Sequence, residues 1–125
     1  MSIYQELILD HYHSPHNSGV LQKYDADVSV ANSSCGDKLR ITLKVRQEKI
    51  TDIAFTGEGC AISIAAASML TDEVKGKDLE AVTGMTKDDV LKLLNIQLTP
   101  TRLRCALLPL EGISKAILSL KSTML

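Results

Sequence analysis

Leu39-Arg40-Ile41-Thr42-Leu43-Lys44-Val45-Arg46 decides the architecture, because apolar and polar side chains alternate through it without interruption. A period of two puts the apolar set on one face of a strand and the charged set on the other, the mark of a half-buried antiparallel sheet. Asp27 to Asn32 precedes it and Ile50 to Phe55 follows, both strand-like. The Cys35-Gly36-Asp37 turn joins the first pair and Gln47-Glu48-Lys49 the second, so the stretch predicts a three-stranded meander.

On either side of the meander the pattern turns helical. Ser2 to Tyr12 carries Tyr4, Leu7, Ile8 and His11 at helical spacing and is closed by Pro15, Asn17 and Gly19. Cys60 to Leu70 is rich in Ala, has no glycine or proline, and predicts a helix lying close on the sheet, ending at Gly76. Thr86, with Asp88 and Asp89 in its first turn, starts a short helix through Leu94. The last helix is expected to begin near Leu107 and run to about Lys121 on Ile113, Ala116, Ile117 and Leu120. Pro109 belongs in a first turn, where its missing N–H costs nothing, and this puts Cys105 at the helix entrance. The fold class is α+β, a small antiparallel three-stranded sheet packed against several helices, in one domain spanning 1–125.

The 125 residues are 45% hydrophobic and 23% charged, the composition of an ordinary globular chain. With one Phe, three Tyr and no Trp, aliphatic side chains fill the core and no stacking surface for bases is expected. A net charge of −1 argues against nucleic acid, which needs clustered Lys and Arg. No secretory signal and no apolar run long enough to span a bilayer are evident, so no membrane association and a cytoplasmic location are expected. Three cysteines in a reducing compartment cannot all pair, so metal binding or thiol chemistry outranks a disulfide.

In a meander, the turn after the first strand and the far end of the third lie at one edge of the sheet. Cys35 and Cys60 therefore share an edge, and Cys105 joins them if the last helix points its N-terminus there. Helix N-termini at Cys60 and Cys105 would favour thiolates, which serve as metal ligands and as nucleophiles. Asp37 offers an oxygen beside Cys35. Three sulfurs and one carboxylate suit tetrahedral zinc, and equally a two-iron cluster.

Asn32-Ser33-Ser34-Cys35-Gly36-Asp37 and Gly57-Glu58-Gly59-Cys60-Ala61-Ile62-Ser63, with Asp10-His11-Tyr12, Pro15 and Asn17 upstream, resemble the IscU/NifU-type iron-sulfur cluster assembly scaffolds and the related SufU-type sulfur acceptors. The resemblance covers nearly the whole chain. It implies a non-enzymatic scaffold that takes sulfur from a pyridoxal-phosphate cysteine desulfurase, builds a [2Fe-2S] cluster on Cys35, Asp37, Cys60 and Cys105, and hands it to recipient apo iron-sulfur proteins. The alternative it implies is a zinc-bound sulfur acceptor that stimulates the desulfurase. Leu98-Thr99-Pro100-Thr101-Arg102-Leu103-Arg104-Cys105 departs from the IscU-type pattern, which argues against the Hsp70-type chaperone contact. Arg104 stands where IscU-type members carry histidine. Arginine has no lone pair for a metal, so the expected role is to stabilise a thiolate or persulfide on Cys105. Arg104-Cys105 is SufU-like, yet the interval from Cys60 to Cys105 looks too short for the SufU-type insertion.

His11, His13 and His16 form a histidine-rich stretch. Residues two apart on a helix face different ways, so packing and capping are the expected roles. Gly57-Glu58-Gly59 lacks the Gly-Lys-Ser/Thr ending of a phosphate loop and is expected to be a turn presenting Cys60. Arg40, Lys44 and Arg46 are expected to form a solvated face.

Overall fold

The computed structural model describes residues 2–33 and 36–124, with side chains through Lys121. The predicted meander is present: β1 (Ala26–Asn32), β2 (Asp37–Arg46) and β3 (Lys49–Glu58) pair antiparallel in the order β1-β2-β3. Register sets Val28 opposite Ile41 and Ile41 opposite Phe55, so one face of all three strands is apolar. Leu39, Ile41, Leu43, Ile53 and Phe55 are buried there as the alternation requires. Thr42 is buried too, against that alternation. The chain leading into β1 explains it: Asn17 and Gly19 bond the β3 edge at Phe55, and the Leu21 N–H then donates to Thr42 Oγ1.

Five helices accompany the sheet among the described residues: α1 (Ile3–His13), α2 (Ala61–Val74), α3 (Leu79–Thr83), α4 (Lys87–Leu94) and α5 (Pro100–Met124). A reciprocal Ser2–Gln5 capping box starts α1, and a Thr86–Asp89 box starts α4. The central helix is α2. Ile64, Ala67, Leu70 and Val74 face the sheet core, while Ala65, Ala66 and Met69 face a second cluster with Ile8, Val90, Leu94 and Ala106. Buried on both sides, it reads as an apolar run with little amphipathic signature. Its hydroxyls at Ser63, Ser68 and Thr71 are buried and hydrogen-bonded. The short α3 was not foreseen, since five residues carry too little periodicity to register.

The last helix corrects the sequence-based start. It begins at Pro100 rather than near Leu107 and is 25 residues long, with Pro109 in its interior. Thr99 supplies the cap: its carbonyl accepts from Leu103 N–H at 2.9 Å and its Oγ1 from Arg102 N–H at 3.3 Å. Pro100 is thus the proline that occupies the first turn, where its missing N–H is harmless. At Pro109 the helix continues without one rung, held by burial of Cys105, Ala106, Leu108, Ile113, Ala116 and Ile117. Close approach to the sheet is set at Gly112, where an added Cβ would lie 2.5 Å from Ile41 Cδ1 and 3.1 Å from Val30 Cγ2. No described helix is long and apolar enough to cross a membrane.

Candidate metal centre

At the sheet edge where β1 ends, Asn32 pairs with Asp37 and Lys38 with Glu58, so the start of β2 lies beside the end of β3. Gly36, at φ 71°, makes the left-handed bend that delivers Asp37 to the first position of β2. Beyond β3 the chain turns through Gly59 into Cys60, the extended N-cap residue of α2. The third contributor, Cys105, comes from the second turn of α5 rather than its entrance, beyond the first turn in which a helix N-terminus favours thiolate. Cys35 lies outside the described residues.

One ligand atom each from Asp37, Cys60 and Cys105 lies within 4.8 Å of the other two. Asp37 is fully buried and Cys105 is 1% exposed, whereas Cys60 is partly open to solvent. Asp37 Oδ1 accepts the Cys60 backbone N–H at 2.9 Å, and Oδ2 stands 3.8 Å from Cys60 Sγ. Metal bonds of 2.0–2.3 Å in a tetrahedron space the ligands of one ion roughly 3.3–3.8 Å apart, so the three donors together suit zinc, and any two of them suit one iron of a two-iron cluster.

The local packing leaves no slack. A Cβ on Gly59 would sit 2.5 Å from Asp37 Oδ1 and 2.5 Å from Ser63 Oγ. Ser63 was not singled out for a role from sequence, yet its hydroxyl donates to the Cys60 carbonyl at 3.1 Å and lies 3.8 Å from Cys60 Sγ. Its place three residues after an N-cap was the available signal. Burial pushes the Cys60 thiol up. The Ser63 backbone N–H, the Cys105 thiol and the Ser63 hydroxyl together outweigh that burial and the Asp37 charge, and hold it below its ordinary value. Thiolate is the form that ligates and attacks.

Arg104 is exposed, and its guanidinium makes no hydrogen bond or ion pair among the described residues. Consecutive helical residues diverge by about 100°, so Arg104 projects away from the direction Cys105 takes. Of the histidines, His13 lies beside Tyr12 at the end of α1 with the rings tilted 54° to each other, centroids 5.2 Å apart. His11 and His16 meet instead, at 4.5 Å. Burial, and then the neighbouring His16, hold the His11 ring below its usual pKa.

Residues 3–124 match the family model described as NifU-like N terminal domain. A Bacillus subtilis (strain 168) protein named zinc-dependent sulfurtransferase SufU is 36% identical over 93% of this chain and 90% of its own length. An Escherichia coli (strain K12) protein named iron-sulfur cluster assembly scaffold protein IscU is 33% identical over 95% of this chain and 94% of its own. Among solved structures, the N-terminal part of a NifU-like protein from Brucella abortus superposes with a TM-score of 0.75 at 23% identity, covering 96% of this chain and 95% of that one, a likeness of fold.

Proposed function

The chain belongs to the NifU-like N-terminal domain family, and on that footing we propose that it is an iron-sulfur cluster assembly scaffold. It accepts sulfur from a cysteine desulfurase, assembles a [2Fe-2S] cluster as its cargo on Cys35, Asp37, Cys60 and Cys105, and passes the cluster to recipient apo-proteins. The observation that carries this reading is the convergence of Asp37, Cys60 and Cys105 within 4.8 Å, two of them buried and one partly open. A buried carboxylate and a buried thiol supply a dry floor. The partly exposed Cys60 supplies an entrance for sulfur and iron.

Sulfur enters by attack of a thiolate on the outer sulfur of the donor's persulfide. The donor S–S bond breaks, the donor's thiolate leaves, and a persulfide remains on this chain. Cys105 is the proposed final acceptor; for Arg104 to stabilise its charged form, the exposed side chain has to swing back from the face it occupies on α5, and an Arg104→Ala variant that transfers sulfur at the parent's rate removes Arg104 from that role. Asp37 is the proposed exchangeable ligand, since a carboxylate holds iron more weakly than a fourth thiolate.

The runner-up is a zinc-held sulfur acceptor that stimulates the desulfurase without building a cluster. The similarity to the Bacillus subtilis protein favours it. In that reading zinc would sit on the same residues and keep the thiols deprotonated. Anaerobic incubation with desulfurase, cysteine and ferrous iron separates the two. Protein-bound visible absorbance supports the scaffold, and zinc retained throughout with no bound cluster overturns it.

A further inference from the structure

A second group of ligand-type side chains lies away from the thiols. His11 is in the last turn of α1, His16 is in the segment that follows, and Asp72 is near the end of α2. A nitrogen from each ring and a carboxylate oxygen lie within 4.8 Å of one another. Ser68, which anchors the group, is eight residues beyond Cys60, about 12 Å along the helix. The two centres are therefore distinct.

The surroundings hold these three groups in place. Ser68 Oγ lies 2.6 Å from His11 Nδ1 and accepts the His16 backbone N–H at 2.7 Å. Asn17 Nδ2 donates to Asp72 Oδ1 at 2.9 Å, while Oδ2 meets His16 Nδ1 at 2.5 Å. Lys75 Nζ in turn donates to Asn17 Oδ1 at 2.7 Å. Partners of this kind fix the orientation of metal ligands in built sites. His11 is 9% exposed, whereas the His16 and Asp72 side chains are 56% and 45% exposed, so an ion has a fixed inner ligand and an open approach.

We propose that His11, His16 and Asp72 bind one divalent first-row transition-metal ion, pinning the end of α1 and the segment after it to α2. Two imidazoles and one carboxylate suit zinc, cobalt, nickel and ferrous ions, with solvent completing the shell from the exposed side. His16 Nδ1 and Asp72 Oδ2 stand 2.5 Å apart, closer than the roughly 3.3 Å between tetrahedral ligands, so an ion displaces the proton they share and parts them by ~0.8 Å, which the exposure of both side chains allows. The inference is independent of the scaffold reading, because it uses none of the sulfur-centre residues.

Cobalt(II) titration of the full chain tests it by visible absorption. The parent is expected to bind two equivalents, one with intense thiolate-to-cobalt charge-transfer absorption and one without. His16→Ala should bind only the first. Cys35→Ser/Cys60→Ser/Cys105→Ser should bind only the second. Absence of any equivalent lacking thiolate charge transfer, or such an equivalent unaffected by His16→Ala, overturns the proposal and leaves a hydrogen-bonded clamp only, whether or not the sulfur centre binds cobalt. If the triple cysteine variant does not fold, the comparison of parent with His16→Ala decides the matter by itself.

Discussion

Asp37 Oδ1 accepts the backbone N–H of Cys60 at 2.9 Å, although the two residues stand 23 positions apart. One carboxylate therefore ties the start of β2 to the N-terminus of α2 and presents its second oxygen beside the Cys60 sulfur. It is a structural anchor as well as a ligand, and these roles separate by substitution.

Asp37→Asn keeps an oxygen acceptor for the Cys60 N–H, whereas Asp37→Ala leaves that part-buried donor without its partner, at a cost of about 1 kcal/mol, the low end of the range for a lost buried bond. Urea unfolding is expected to show the loss in Asp37→Ala and little of it in Asp37→Asn. Zinc competition against a chelator is expected to show weaker binding in both. A cluster assembled on Asp37→Ala should be released more slowly than from the parent. Faster loss would remove Asp37 as the exchangeable ligand.

Gly59→Ala places a methyl 2.5 Å from both Asp37 Oδ1 and Ser63 Oγ, atoms of two fully buried residues with nowhere to retreat. Overpacking of this kind costs roughly 1–3 kcal/mol. The strain falls on the site itself, so metal affinity should drop together with the melting temperature. Unchanged metal affinity in Gly59→Ala would show that the site tolerates displacement of Asp37.

Cys60 and Cys105 should differ sharply as nucleophiles toward a small alkylating agent. Cys60 is partly exposed and held below its ordinary pKa, while Cys105 is 1% exposed. Timed alkylation of metal-free protein, read by peptide mass spectrometry, is expected to label Cys60 well before Cys105. Equal rates would mean that the start of α5 opens readily, and would favour direct sulfur delivery to Cys105.

Asp27 and Arg40 form a two-point pair across β1 and β2, at 2.9 and 2.8 Å. Hydrogen bonding to the guanidinium holds the Asp27 carboxyl below its ordinary value of 3.8. A lowered folded pKa means that the unfolded chain binds the proton more readily. The contribution to stability is therefore present above pH 3.8 and is lost as pH falls through the folded value. Asp27→Asn should melt lower than the parent at neutral pH, with the gap closing in acid and shrinking in high salt. A gap independent of pH would show that the pair's charge contributes nothing.

The alternation from Leu39 to Arg46 was sufficient for the meander, because register on a one-sided sheet follows from the side-chain period alone. With the meander came the shared edge of Asp37 and Cys60, since antiparallel connectivity leaves the turn after β1 and the end of β3 nowhere else to lie. Short-range signals were equally legible at Thr86–Asp89, where a cap acts within one turn. Two prolines in α5 carried opposite meanings that local rules do not separate. Only burial of that helix against Val30 and Ile41 made the interior Pro109 tolerable and carried Cys105 past the helix entrance into the second turn. The meeting of His11 with His16 was likewise beyond the reach of spacing. It depends on Ser68 and Asp72, 57 and 56 positions downstream of the residues they hold, and only packing of α1 against α2 brings them together.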